Sequence, residues 1–359
     1  MTTPAPVIPA PLRTLLVLAA VVVTLAGLFF AREIVGPLVL SVVIVIICEP
    51  VRRPLDRLGW PRWAGTTAVI LLAYVVLGAM GLLLWIAGTQ FVRLVADFAD
   101  DLKSLGENVI AWLATLGVDE QTAGGAASAL DPSAIAGFVG SLGGTALGVV
   151  TAVFFVLAYV IFMAADAARY TDADRAFGAE RRPVLDRVRR FNTGVRRYYV
   201  VNASFGAVVA ILDGLALWLL QVPAPLTWAI LAFVTNFIPN IGFVIGLVPP
   251  ALLALVVGGW PLMLIVIAVY VVVNVGLQVL VQPKFVSDAV DLSLTLSFFS
   301  VIFWTFIIGP LGAILSIPLT LLVRALLLEG EEGSRWLRWL SGDRDAAPRR
   351  PQDEGRAPG

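Results

Sequence analysis

Asn236-Phe-Ile-Pro-Asn-Ile-Gly242 interrupts an apolar run that extends from about Leu226 to Val257. Proline and glycine break helix, and hydrocarbon offers no water to the backbone groups that a break leaves unpaired. The break must therefore be buried in protein or line a wet cavity. The rest of the chain has to supply that shelter.

The chain can do so because it is itself largely apolar. Of its 359 residues 59% are hydrophobic and 14% charged, its mean hydropathy is +0.92, and several runs approach the roughly 20 residues a spanning helix needs. Val17–Phe30, Val69–Trp85 and Leu262–Val273 are apolar on every side, which excludes the alternating pattern of a membrane barrel. The fold class is an all-α polytopic membrane protein. Spans are expected at Leu12–Ala31, Ile34–Cys48, Gly65–Phe91, Gly140–Ala164, Val200–Leu220 and 261–282, with broken apolar stretches at 226–257 and 294–324. The first segment has only Arg13 as a basic flank and runs almost directly into the second, so it reads as a retained helix rather than a cleaved signal.

Arginine and lysine set the orientation. Four arginines follow the second span (Arg52, Arg53, Arg57, Arg62), nine lie in 165–199, and Arg324, Arg335 and Arg338 mark the tail, whereas 92–139 has seven acids against Arg93 and Lys103. The positive-inside rule places the first three regions, and with them both termini, in the cytoplasm and 92–139 outside. If 226–257 crosses once, Lys284 ends outside. If it crosses as two helices, the tail is forced outside unless 294–324 also doubles back. Making both stretches re-entrant hairpins resolves the conflict, and the arms Leu226–Ile238 and Ile241–Val257 are short for full spans at 1.5 Å per residue. Six full spans plus two opposed hairpins result. Units 200–257 and 261–324 then form an inverted repeat, the pattern of secondary transporters. Pro239-Asn-Ile-Gly242 at the first tip is echoed by Pro310-Leu-Gly312 at the second. The alternative is eight conventional spans kinked by proline.

The domains follow as a transmembrane scaffold (1–91), an external amphipathic segment (92–139), a span with an arginine-rich cytoplasmic loop (140–199), a transport core (200–326) and a charged tail (327–359), disordered beyond about Ser341. In the external segment Phe91, Val95, Phe98, Leu102, Leu105, Val109, Trp112 and Leu116 make a heptad seam, suited either to homo-oligomer formation or to lying on its own domain or the membrane surface. The arginine cluster at 181–197 reads as an anchor to lipid headgroups before it reads as a specific site.

Composition also limits chemistry. Lysine plus arginine and aspartate plus glutamate both number 25, which gives no argument for a nucleic-acid partner, and histidine is absent. That removes Ser-His catalysis, histidine metal ligands and an imidazole relay. The one cysteine, Cys48, sits in an apolar helix as a packed thiol. There is no nucleotide-binding loop of the G-x-x-x-x-G-K-[ST] type, so ATP is not the direct energy source within this chain. Nothing calls for a cofactor or a metal centre, no enzyme is expected, and a non-transporting membrane scaffold stands as an alternative to a transporter.

Asp213 is the one acid well inside an expected span, and an intramembrane carboxylate is a functional hypothesis by default. It is the candidate for holding Na⁺ or carrying a proton; the bland reading is a water-facing carboxylate near a helix end. Asn236 and Asn240 flank Pro239, Asn274 lies mid-span, and Gln278 follows one turn later on the same face. Amides donate and accept at once, which suits a small, neutral, hydroxyl-rich solute. Their alternative use is helix–helix hydrogen bonding, worth about 1 kcal/mol each in membranes. Pro239, Gly242, Gly309, Pro310 and Gly312 are the expected tip residues, and Lys284, in Gln282-Pro-Lys284, is a possible gate.

Taken together, Asn236-Phe-Ile-Pro-Asn-Ile-Gly242 with Pro249-Pro250, Gln282-Pro-Lys284, Leu292-Ser293 and Phe303-Trp304 through Gly309-Pro-Leu-Gly312 to Ser316-Ile-Pro-Leu-Thr320 resemble the AI-2E family of bacterial transporters. The specific motifs cover roughly 198–326; the first half resembles the family in length and span pattern only. The resemblance implies an oligomeric inner-membrane permease, of the type named for export of the quorum-sensing signal autoinducer-2, with sodium/proton antiport assigned to other members. An aspartate at position 213 belongs to none of these motifs.

Overall fold

A computed structural model describes residues 9–115, 146–239, 241–282 and 292–327, together with the isolated positions 125, 133 and 137. Asn240, Lys284, Leu116 and the tail beyond Leu327 lie outside the described residues. Among the described residues the regular structure is entirely helical: α1 (Ala10–Phe30), α2 (Arg32–Cys48), a 3₁₀ turn Glu49–Val51, α3 (Arg52–Arg57), α4 (Arg62–Asp97), α5 (Ala99–Thr115), α6 (Ala146–Leu219), α7 (Pro225–Thr235), α8 (Gly242–Asn274), a π turn Val275–Val281, α9 (Leu294–Ile308) and α10 (Pro310–Leu327).

Four described stretches are long and apolar enough to cross a bilayer, Arg32–Arg57, Arg62–Asp97, Arg182–Leu219 and Gly242–Gln278, and shorter apolar helices accompany them. Large apolar side chains such as Val23, Trp85, Val272 and Phe306 are each about 71% exposed. A water-soluble domain would bury such side chains, whereas lipid accepts them. The polytopic membrane architecture follows.

The expected loop at 165–199 is corrected to helix, because the backbone is assigned helical from Ala146 to Leu219 (α6). Alanine-, arginine- and acid-rich sequence with few glycines or prolines favours helix wherever packing does not forbid it. It is not a straight rod. The Ser41 hydroxyl donates to the Val156 carbonyl at 3.2 Å, and Glu49 pairs with Arg196 at 3.5 Å. Ser41 and Glu49 stand about 12 Å apart along α2, whereas 40 residues of straight helix would separate Val156 from Arg196 by about 60 Å. The helix must bend back between these contacts, so its two arms flank α2.

The second arm of α6 carries the first hairpin. The Trp228 indole donates to the Pro223 carbonyl at the base, and the Asn236 amide reaches the Asn202 carbonyl at the tip. Returning from the tip, α8 presses so close to α7 that a methyl on Gly242 would overlap the Thr235 carbonyl. Gly259 then breaks α8 with φ 69 and ψ −169, next to Pro261, which lacks a backbone N–H. The remainder of α8 descends along α6 around a core of Leu217, Trp228, Ala254, Val266 and Tyr270.

In the second hairpin, α9 and α10 meet at Gly309 (φ 83), and a methyl on Gly312 would overlap the Trp304 carbonyl. A hydroxyl chain ties the arms: the Trp304 indole donates to Thr320, Thr320 to Ser300, and Ser300 to the Leu296 carbonyl. Its tip, through Ile308 and Leu311, packs against Gly36 near the start of α2. Tyr199 on α6 links the two tip regions: its hydroxyl donates to the Ile314 carbonyl at 2.9 Å, and its ring stacks on Phe237 with centroids 6.3 Å apart.

The first half of the heptad seam is used within the chain. Phe91, Leu94 and Phe98 pack on the Trp228 core, and Val95 and Leu102 are each 8% exposed. Within the chain these side chains are wholly or partly covered, on one side by the helices around Trp228.

Gly242→Ala and Gly312→Ala are each expected to destabilise the fold by about 1–3 kcal/mol through overpacking, lowering the midpoint of thermal unfolding in detergent. Gly78→Ala, where an added methyl meets nothing within 4 Å, is expected to leave that midpoint unchanged.

Candidate functional site

Three elements deliver polar side chains to one place. The second arm of α6 brings Asn202 and Asp213, the tip after α7 brings Asn236, and the lower part of α8 with its π turn brings Tyr270, Asn274, Gln278 and Gln282. Asn274, Gln278 and Gln282 recur every four residues and so share a helix face. Within the turn the Gln282 N–H donates to the Leu277 carbonyl, five residues back, at 2.7 Å. Such widened turns are frequent at functional sites.

The side chains form a continuous line. Asn274 Nδ2 donates to Asp213 Oδ2 at 3.4 Å and to the Tyr270 carbonyl at 2.8 Å. Gln278 Nε2 is shared between Asn274 Oδ1 at 2.9 Å and Asn236 Oδ1 at 2.8 Å. Asn236 Nδ2 reaches the Asn202 carbonyl at 2.9 Å, and Gln282 Nε2 reaches Asn202 Oδ1 at 2.7 Å. Gly206 makes room, since a methyl there would come within 2.6 Å of Asn236 Nδ2.

A small cavity opens on this line, bounded by Asp213, Ala232, Asn236, Phe243, Gly246, Tyr270, Asn274 and Gln278. About 10 Å³ of it is open to the centre of a water molecule, which is room for one. Asp213 is fully buried. Its Oδ1 has no hydrogen-bond partner, and neither has the Tyr270 hydroxyl. A carboxylate shielded this way carries a desolvation cost of several kcal/mol unless it is neutralised or fully hydrogen-bonded.

The expected residues are thus placed unevenly. Asp213, Asn236, Asn274 and Gln278 come together, and Pro239 and Gly242 shape the tip beside them. Gly309, Pro310 and Gly312 form the other tip, which packs on Gly36 and does not border the cavity. Asn202, Tyr270 and Gln282 belong to the cluster although sequence reasoning gave them no site role. For Tyr270 the signal was present, because it lies four residues before Asn274 on the same face.

A family model described as "AI-2E family transporter" matches residues 18–332. The chain is similar to the AI-2 transport protein TqsA of Escherichia coli strain K12, with 28% identity over 92% of this chain and 96% of that protein. It is also similar to a putative transport protein of Haemophilus influenzae, with 30% identity over 92% and 96%, and to the putative transport protein YhhT of Escherichia coli strain K12, with 27% identity over 97% of each.

Asn274→Leu strips Asp213 of its one side-chain donor, and a stability loss of about 1–3 kcal/mol is expected. Replacing both partners, as in Asp213→Leu with Asn274→Leu, is expected to recover part of that loss, because the buried carboxylate is removed together with its donor. Thermal unfolding of the single and double variants checks the sign of the difference.

Proposed function

This chain belongs to the AI-2E family of transporters, and from that premise we propose that it moves a small, neutral, hydroxyl-rich solute across the bacterial plasma membrane along the line from Asp213 to Gln282. The observation that carries the reading is the line itself. Six polar side chains hydrogen-bonded in series within apolar helices exceed what helix association needs, and amides accept and donate to hydroxyls without preferring an ion.

The name of the Escherichia coli relative makes autoinducer-2 the solute to test first. The arginine distribution supports cytoplasmic termini, and the close turns at Gly242 and Gly312, with the charge argument, support re-entrant elements of an inverted repeat. With no nucleotide-binding loop in the sequence, the driving force is the solute gradient or a coupled ion. Asn240 is retained as a path residue and Lys284 as a gate on sequence grounds alone. A cation/proton antiporter is the second reading, favoured by the buried Asp213.

In proteoliposomes loaded with autoinducer-2, the chain is expected to release the signal without ATP. Asn236→Ala, Asn274→Ala and Gln278→Ala are each expected to cut the initial rate about tenfold, the equivalent of one lost hydrogen bond. Measuring sodium/proton exchange in the same vesicles separates the two readings. Absence of both fluxes, or unchanged rates in all three variants, would sink the proposal.

A further inference from the structure

We propose that the Tyr198 hydroxyl is a solute contact: beside Asn202 and Gln282 it extends the polar line by one turn of α6 and binds a hydroxyl of the passing solute. The inference rests on the transport reading and adds to it a residue that sets specificity. Tyr198, Asn202 and Gly206 recur every four residues and so share one face of α6. Tyr198 lies about 6 Å along the helix from Asn202, on the side of Arg196 and Arg197, which the arginine distribution places nearer the cytoplasm.

Burial is the first argument. Tyr198 is 7% exposed. Its ring packs in the core with Val43, Val195, Trp304 and Leu315 and stands edge-on to Tyr199, with centroids 5.2 Å apart. Phenylalanine would make the same ring contacts with no hydroxyl to desolvate. The hydroxyl neighbours the Asn202 side chain but makes no aligned hydrogen bond, and a hydroxyl buried in that way is costly. The adjacent Tyr199 supplies the contrast. Its hydroxyl donates to the Ile314 carbonyl at 2.9 Å, four residues before Pro318 in α10, and a proline has no N–H with which to pair that carbonyl. The Tyr199 hydroxyl therefore completes the fold, whereas among the described residues the Tyr198 hydroxyl completes nothing.

The second argument is what transport does to its neighbours. Gln282 Nε2 holds Asn202 Oδ1 at 2.7 Å, and a solute passing along the line has to displace that bond. Asn202 Oδ1 then becomes a free acceptor beside a phenol that can donate and accept. A solute hydroxyl donates to Asn202 and accepts from Tyr198, a two-point contact for one group. A solute without that hydroxyl leaves both buried groups unpaired, which is how sites built for hydroxyls reject analogues that lack them. Both protein groups are uncharged, in keeping with a neutral, hydroxyl-rich solute.

The test is the initial release rate from proteoliposomes over a series of luminal autoinducer-2 concentrations, together with the Tm of the purified full chain. Tyr198→Phe is expected to raise the half-saturating concentration about three- to tenfold and to leave the maximal rate near that of the wild type. Its Tm is expected to be no lower, since no internal hydrogen bond is lost. Tyr199→Phe, which orphans the Ile314 carbonyl, is expected to lower Tm and so marks the signature of a structural hydroxyl. A half-saturating concentration unchanged in Tyr198→Phe overturns the proposal. A Tm loss in Tyr198→Phe matching that of Tyr199→Phe, or failure of Tyr198→Phe to fold, overturns it too, because the hydroxyl would then be paired within the fold. Wild-type vesicles that release no autoinducer-2 sink the transport reading for this solute and the inference with it; wild-type release with Tyr198→Phe unaffected sinks the inference alone.

Discussion

A helix that breaks at bilayer depth leaves backbone groups that only protein can satisfy, and between Thr235 and Gly242 the chain meets that demand locally. The Ile238 N–H returns to the Thr235 carbonyl and the Gly242 N–H to the Ile238 carbonyl, while the Asn236 side chain satisfies the carbonyl of Asn202 on α6. The last contact fixes the tip to the helix that carries Asp213. From it follow the descent of α8 along α6, the register of Asn274 against Asp213, and the room that Gly206 leaves at the crossing. The break is thus the reason a polar cluster exists here at all.

The two hairpins solve one backbone problem with different chemistry. Each presses a glycine onto a carbonyl of the preceding helix, Gly242 on Thr235 and Gly312 on Trp304. In the second, hydroxyls close their own chain from Trp304 through Thr320 and Ser300 to a backbone carbonyl, and its tip is packed among apolar side chains. In the first, Asn236 at the tip faces a neighbouring helix and a cavity, and on that cavity Asp213 of α6 and Tyr270 of the lower part of α8 each keep an unpartnered atom. Unpartnered buried atoms are rare and costly in low dielectric. The second hairpin is thus internally satisfied, whereas the first borders a cavity that has polar capacity left for a ligand.

Several parts of this arrangement could be read from the residues. The break at Pro239, its echo at Pro310, the intramembrane Asp213 and the shared face of Asn274 and Gln278 depend on local rules of helix geometry and backbone satisfaction, which act over one or two turns. Other parts could not be read. The helix through 165–199 looked like a loop because a dense arginine run signals a cytoplasmic segment and is silent on its backbone. The seam from Phe91 to Leu102 looked available for a partner because heptad spacing shows an apolar face without showing what covers it; Trp228 and its neighbours cover much of it.

By itself the sequence determined that the chain is a polytopic helical membrane protein with two broken helices and one stranded carboxylate. Apolar length, proline and glycine positions and charge counts are properties of the chain before it folds. Only the tertiary structure decided that Asp213 and Asn274 meet and share a cavity with Tyr270, that Asn202 and Gln282 join the line, and that Gly309, Pro310 and Gly312 do not border the cavity. Those outcomes depend on how α6 bends back beside α2 and on the register of α8 along it. Both are set by packing between segments tens of residues apart, which leaves no trace in the spacing of neighbouring residues.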